Sequence, residues 1–165
     1  MQENATGPGR TGTSDGAAAI AVFVTALALW IGTAAFFSAV VLPVLFTHLA
    51  ANEAGAIAAL LFPWYFRVGC VLGIVALAVA LHLARGAGKA WRFGTLVLAL
   101  MTAAQLYSTV VVHPEVARLR GDRDQAQRFA QLHQLSVRLN AVVLGGGMLL
   151  LCGSGLLLSR RERRS

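Results

Sequence analysis

The sequence predicts an all-α protein, a four-transmembrane-helix bundle with a long protruding fourth helix. Apolar residues make up 57% of the 165-residue chain and charged residues only 13%, whereas soluble domains average about 45–50% and about 25%. The apolar residues are also concentrated in four blocks. Each block is long enough to cross a bilayer, for which about 20 residues suffice.

The composition divides the chain into three regions. Residues 1–16 are polar and rich in Gly and Thr, which is typical of a disordered N-terminal tail. Residues 17–158 contain the apolar blocks and are predicted to form one four-helix transmembrane domain. Residues 159–165 are dominated by arginine and are predicted to form a basic cytoplasmic tail, because basic side chains favour the anionic cytoplasmic leaflet.

The first two blocks contain prolines that predict irregular helices. The first block, Ala17–Phe46, would be about 45 Å long as a straight helix, so it must tilt or bend. Pro43 removes one backbone hydrogen bond and is the expected kink. Glu53–Phe62 is predicted to be a short separate helix, since Pro63 is typical of the first turn of a new helix. The second block follows at Phe66–Leu83.

The last two blocks predict a third helix over Trp91–Val112 and a fourth that includes Val137–Leu158. Before the fourth block, Asp124-x-x-Gln127 has the pattern of a capping box at a helix start. A helix from Asp124 to Leu158 would be about 51 Å long, against a hydrocarbon core of about 30 Å. The fourth helix is therefore expected to project well beyond the outer surface.

Basic residues predict the orientation of the helices. With both termini inside, eight Lys and Arg lie on the inner side and six on the outer side. The short basic segment from Arg85 to Arg92 and the Arg-rich C-terminus favour this arrangement. The sequence thus predicts a multi-pass protein of a bacterial-type inner (cell) membrane with both termini cytoplasmic.

The same patterns restrict the partners and the function classes. The expected partner is the lipid bilayer and not a nucleic acid, because the net charge of +7 comes from loops and tails without a nucleic-acid-binding motif. The block interiors lack Asp, Glu and Lys, which counts against a carboxylate-based proton relay. Gly69-x-x-x-Gly73 predicts close helix packing, either inside the bundle or in a homo-oligomer.

A polar stripe, His133-x-x-Ser136-x-x-x-Asn140, leads into the last apolar block. Offsets of three and seven residues place the three side chains on one helix face. Polar groups on one face at a membrane boundary usually meet another helix or a ligand. We therefore take the stripe as the centre of a candidate ligand-binding site.

Other polar residues are expected near the same membrane level: His48 and His113 at outer helix ends, and Gln105 on the third helix. Interhelical hydrogen bonds explain these residues without a ligand. No cofactor is predicted, because the histidines lack local metal-ligand spacing. Ligation of haem or a metal by two of the outer histidines stays an alternative. No catalytic residue is predicted, since Ser136 and His133 have neither a nearby acid nor an oxyanion-hole motif.

Aromatic residues sort by their expected depth. Trp64, Tyr65 and Trp91 fall at predicted membrane interfaces, where aromatic belts are common. Trp30 falls in the middle of the first block and is expected to pack against Gly32 or a neighbouring helix.

Several short motifs occur in a characteristic order between Leu27 and Leu151: Trp30-x-Gly32, Phe36, Pro43-x-x-Phe46, Ala54-Gly55, Phe62-Pro63-x-Tyr65-Phe66, Pro114 and Phe129-x-x-x-His133-x-x-Ser136-x-x-x-Asn140. Together they resemble the transmembrane protein 205-like family, whose bacterial members are described as a domain of unknown function. The resemblance implies a four-helix membrane protein without a settled biochemical activity.

Three functional hypotheses follow. The first is a non-enzymatic membrane protein of the transmembrane protein 205-like type, in which the outer polar cluster holds a small ligand or ties helices together. The second is a haem- or metal-linked membrane redox protein. It is suggested by a looser topological likeness to four-helix haem-related and copper-resistance membrane proteins. The third is a small-molecule or metal permease.

Overall fold

The computed structural model describes residues 11–85, 88–122 and 124–162. In chain order the elements are α1 (Thr11–Phe36), a first π-helical segment (Phe37–Val41), α2 (Leu42–His48), α3 (Ala51–Ala84), α4 (Lys89–Tyr107), a second π-helical segment (Ser108–Val112), α5 (His113–Leu119) and α6 (Ala126–Glu162). No strand occurs in these residue ranges, so the predicted all-α class is confirmed.

Within the described residues, four spans are long and apolar enough to cross a membrane: span 1 (Asp15–His48), span 2 (Ala51–Ala84), span 3 (Trp91–Leu119) and span 4 (Ala126–Gly153). Each span packs against the one before it, and span 4 packs back against span 1. The spans therefore form a closed ring in chain order. The length and apolar composition of the four spans suggest a multi-pass membrane protein.

The helices extend beyond the predicted domain limits at both ends. Helix α1 begins at Thr11, inside the predicted tail of residues 1–16, of which residues 1–10 lie outside the described residues. Helix α6 continues to Glu162, past the predicted limit at residue 158, and residues 163–165 of the predicted basic tail also lie outside. Neither extension contains a proline, so the backbone can stay helical where the apolar pattern has ended.

The predicted break before Pro63 is wrong, because α3 runs without interruption and contains this proline. The neighbouring Phe62, Tyr65 and Phe66 pack against rings of other spans, namely Phe37 on span 1 and His113 on span 3. In proteins, most helical stability comes from such tertiary packing. Here it outweighs the hydrogen bond that the proline cannot donate.

The predicted helix start, with Asp124 as the N-cap of a capping box, also differs from the structure. Helix α6 begins at Ala126, so the N-cap position falls on Gln125, whose carbonyl accepts a hydrogen bond from the Phe129 N–H at 2.9 Å. The Asp124 N–H donates to Asp122 Oδ1 at 3.0 Å. This local Asx-type bond favours a turn before the helix.

Both π-helical segments end shortly before a proline. Leu42 donates its N–H to the Phe37 carbonyl five residues earlier, and Pro43 follows. His113 donates in the same way to Ser108, and Pro114 follows. The irregularity predicted at Pro43 thus takes the form of a π-helical segment, which occurs again in span 3.

Trp30 fills the centre of the bundle and is only 2% exposed. It lies against span 2, where a Cβ built on Gly73 would be 3.0 Å from the indole ring and one on Gly69 would be 3.2 Å from Trp30 Nε1. The expectation that Trp30 packs against a neighbouring helix is confirmed. Gly69-x-x-x-Gly73 serves packing inside the bundle, while a homo-oligomer through other small-residue faces stays a prediction.

Candidate functional site

A cavity of about 280 Å³ lies between the four spans, at the end of the bundle where the first and third connections occur. Every span contributes to its walls. The lining residues are Phe37, Ser38 and Leu42 from span 1, Phe62, Tyr65 and Phe66 from span 2, His113 and Val116 from span 3, and His133, Ser136, Val137 and Asn140 from span 4. The lining contains no Asp, Glu, Lys or Arg.

Asn140 joins three spans through two hydrogen bonds at the edge of the cavity. The Tyr65 hydroxyl donates to Asn140 Oδ1 at 2.5 Å, and Asn140 Nδ2 donates to Ser38 Oγ at 3.0 Å. Both polar ends of the Asn140 side chain are therefore used within the protein. This network fixes the relative positions of spans 1, 2 and 4 beside the cavity.

Aromatic rings form much of the cavity wall. Phe37 and Tyr65 are stacked, with ring centroids 4.6 Å apart and planes inclined by 18°. Phe62 packs edge-on against Phe37 at 5.4 Å. The half-buried His113 ring lies 5.8 Å from Phe62 and 5.1 Å from Phe66. The wall thus offers ring faces and edges to a planar ligand.

The polar stripe lies along the opposite wall, on α6. His133 is exposed and its ring is nearly parallel to that of Phe129, with centroids 6.1 Å apart. Ser136 is half-buried, and its hydroxyl has no hydrogen-bond partner among the described residues. These two side chains therefore offer hydrogen-bonding groups to a ligand, whereas Asn140 is engaged in the protein.

The structure brings four of the six candidate ligand-binding residues to one cavity: His113, His133, Ser136 and Asn140. The other two lie elsewhere. His48 is exposed at the end of α2, with Nδ1 3.0 Å from the Val44 carbonyl. Gln105 is buried deeper in the bundle, where its Nε2 donates to the Phe66 carbonyl at 3.4 Å.

Sequence reasoning missed two polar members of the site, Tyr65 and Ser38. Tyr65 was grouped with the interfacial aromatics, but it is only 9% exposed. Its neighbour Trp64 is 66% exposed and lies under the Arg67 guanidinium at 5.4 Å, as an interfacial residue would. The sequence contains no comparable signal for Ser38, since the same apolar block also contains the hydroxyls of Thr25 and Thr33.

The described residues contain no group of three or more His, Cys, Asp or Glu placed to hold a metal ion. The polar groups of the cavity lining are two imidazoles, a phenol, two hydroxyls and the Asn140 amide, all of which form hydrogen bonds. This set of groups suits an uncharged ligand with polar atoms at one end.

Comparison with known proteins gives the family. The family described as a domain of unknown function (DUF4149) matches residues 25–125. The chain belongs to this family. An uncharacterized protein of Aquifex aeolicus (strain VF5) is 32% identical over 119 residues, which cover 72% of this chain and 83% of the relative. No solved structure matches the chain.

The DUF4149 match covers part of the site. It includes Ser38, Tyr65 and His113, which come from the first three spans. The polar stripe on span 4 lies beyond residue 125 and outside the matched segment. The matched segment thus contains the cavity residues of spans 1 to 3, and the family description states no activity.

Proposed function

We propose that this protein is a non-enzymatic, multi-pass membrane protein of the transmembrane protein 205-like type that binds a small uncharged molecule in the cavity between its four spans. The cavity itself is the observation that carries the proposal. It brings His113 of span 3 to the same cavity as the stripe of span 4 (His133, Ser136 and Asn140), and the sequence had marked all four as candidates for ligand binding. Membership of a family of unknown function and four apolar spans are compatible with this role.

The chemistry of the lining defines the ligand. Small-molecule sites are mostly apolar, with a few polar groups that fix orientation, and this cavity combines aromatic and aliphatic walls with Ser136, His113 and His133. Its volume of about 280 Å³ is close to the lower end of the range of about 300–1,000 Å³ for ligand pockets. A compact molecule with an apolar body and a hydrogen-bonding oxygen fits these limits.

Binding of a defined probe tests the proposal. Duroquinone is small, planar and uncharged, and its two carbonyl oxygens accept hydrogen bonds. We expect saturable, equimolar binding to the purified full-length protein in detergent by isothermal titration calorimetry. Ser136→Leu should weaken binding about tenfold, equivalent to 1.4 kcal/mol, because the larger side chain occupies the cavity.

The matched control is Gln134→Leu, which adds the same side chain at an exposed position of α6 outside the cavity lining. We expect this variant to bind like the wild type. An absence of saturable binding to the wild type, or an equal loss in both variants, would refute the proposed function.

The finer placement in the membrane is part of the proposal. We place both termini in the cytoplasm of a bacterial-type cell, the cavity near the outer surface of its inner membrane, and the first part of α6 projecting outside. The basic segment between spans 2 and 3 supports this orientation. Alkaline phosphatase fused after Ser165 should be inactive, since this reporter needs the periplasm. An active fusion would reverse the orientation.

A second candidate is haem ligation, favoured by the presence of His113 and His133 in one cavity. Two imidazoles can supply both axial ligands of a haem iron. A haem is larger than the cavity of about 280 Å³, so this candidate requires the spans to move apart. Protein purified from cells supplied with haem precursors would then show a Soret band that His113→Ala and His133→Ala each shift or abolish. A colourless wild-type protein would reject this candidate.

A further inference from the structure

The cavity is bounded by four seams between neighbouring spans, and three of them are closed. The seam between spans 1 and 2 is closed by packing of α2 on α3. The stack of Phe37 on Tyr65 and the edge contact of Phe37 with Phe62 add to this closure.

Ring contacts and one long hydrogen-bonding side chain close the seam between spans 2 and 3. His113 lies against Phe62 and Phe66 at the level of the cavity. Beyond it, Arg120 donates from Nη1 to the Gly55 carbonyl at 2.5 Å. This side of the cavity is therefore covered up to the end of the bundle.

The seam between spans 3 and 4 is closed by packing of α5 against α6. Glu115 on α5 also forms an ion pair with Arg128 on α6, and the distance from Oε1 to Nη2 is 3.0 Å. Ligands therefore have no direct route between these two spans.

The fourth seam, between spans 4 and 1, is different. Helix α1 packs along α6, but α2 makes no extended contact with α6 among the described residues. The change occurs at the first π-helical segment, where Asn140 on span 4 donates a hydrogen bond to Ser38 on span 1. Beyond it, Leu42 on one side and Val137 on the other line the cavity, and Val137 is 55% exposed.

The charges along the spans place this opening at a membrane boundary. Arg67 on span 2 and Arg85, directly after this span, are 18 residues apart, about 27 Å along a helix. Arg138 and Arg160 on α6 are 22 residues apart, about 33 Å. Both distances match a hydrocarbon core of about 30 Å, so Arg67 and Arg138 mark one boundary.

Tyr65 lies two residues from Arg67, and Asn140 lies two residues from Arg138. Both Tyr65 and Asn140 border the cavity. The cavity therefore lies at the depth of lipid headgroups, and its open seam faces sideways. A ligand that stays in the membrane can reach it without passing through water.

We propose that the cavity takes the head of a neutral quinone-type lipid, which enters from the bilayer through the seam between α2 and α6 while its tail stays in the membrane. The planar head is recognised by the aromatic wall, and its carbonyl oxygens by Ser136 and the two imidazoles. Anionic phospholipids are disfavoured, because no Lys or Arg lines the cavity. This inference rests on the proposed function and adds the ligand class and its route.

Photolabelling in a bilayer tests the route. The full-length protein is placed in nanodiscs with a prenylated benzoquinone that carries a diazirine in its tail, irradiated, and mapped by peptide mass spectrometry. We expect adducts concentrated at the seam, on Leu42 and Val137, and their suppression by excess unlabelled prenylated quinone. Leu42→Trp should reduce labelling of Val137 about tenfold, whereas Leu60→Trp, on an exposed face of α3, should leave it unchanged.

Two results would overturn the inference. One is labelling that follows exposure to lipid, with the exposed Val71 and Leu149 modified as strongly as Val137 and no competition by excess quinone. The other is suppression by anionic phosphatidylglycerol that equals suppression by the quinone. If duroquinone binds in detergent but the tailed probe gives no selective adducts, the cavity function stands and lateral entry fails. If neither probe binds, both fail.

Discussion

Asn140 provides the most direct test of how the site is held together, because its side chain joins spans 1, 2 and 4. Replacement by Ala removes both hydrogen bonds and leaves the Tyr65 hydroxyl without its partner. Interhelical hydrogen bonds in membranes contribute about 0.6 kcal/mol on average and up to about 1.7 kcal/mol. Two such bonds predict a loss of about 1–2 kcal/mol, a factor of about 5–30 in the ratio of folded to unfolded protein.

The assay is reversible unfolding of the purified protein by SDS in mixed micelles, followed by circular dichroism. A double-mutant cycle of Asn140→Ala with Tyr65→Phe isolates one of the two bonds, and we expect a coupling energy of about 0.6–1.7 kcal/mol. Ser136→Ala is the matched control on the same helix face. It removes a hydroxyl without an intraprotein partner and should change stability by less than about 0.5 kcal/mol.

The reasoning would be refuted by a coupling energy near zero, since the hydrogen bond between Tyr65 and Asn140 would then contribute nothing to the fold. It would also be refuted if Ser136→Ala destabilised the protein as much as Asn140→Ala. In that case the cost would come from changes in packing along α6 and not from the network.

Three further predictions concern the bundle. Gly73→Leu should lower the melting temperature of the detergent-solubilised protein, because the new Cβ would lie 3.0 Å from the Trp30 ring. Gly145→Leu is the control and should leave the melting temperature unchanged, because its Cβ would meet no neighbouring side chain within 4 Å. Trp30→Ala should cost about 3–5 kcal/mol in SDS unfolding, as for other large-to-small core changes; a loss below about 1 kcal/mol would contradict its central role. Glu115→Gln, which removes the partly exposed ion pairs with Arg118 and Arg128, should cost less than about 1 kcal/mol, and high salt should reduce the difference.

The fold class followed from the sequence because burial in a membrane leaves a strong compositional signal. Long apolar blocks without charges allow few structures other than helices, since backbone polar groups must be paired inside the bilayer. Helix ends were less predictable. Pro63 lies inside α3 and not at a helix start, because aromatic packing across spans decides the outcome and a local pattern does not contain that information.

The site could be predicted only in part, for a similar reason. The stripe on α6 was visible because its members are close in sequence and share a face. Tyr65 was placed at the membrane interface with Trp64 and its role in the site was missed. Successive helical residues are rotated by about 100°, so Tyr65 is buried while Trp64 is exposed. Its pairing with Asn140 spans 75 residues, and one sequence does not specify such a contact.

Two π-helical segments, which end shortly before Pro43 and Pro114, bring side chains to the cavity at this level of the bundle. The two segments share a sequence pattern: a hydroxyl residue lies five residues before the proline, as Ser38 before Pro43 and Thr109 before Pro114. Two valines lie between them in the first segment and three in the second. Each pattern forms a π-helical segment, which holds one more residue per hydrogen-bonded turn than an α-helix and shifts the following side chains by about 100°. The residues directly before the prolines, Leu42 and His113, both line the cavity. The same local device thus turns one apolar and one polar side chain inward from opposite sides, just beyond the point where Trp30 fills the bundle.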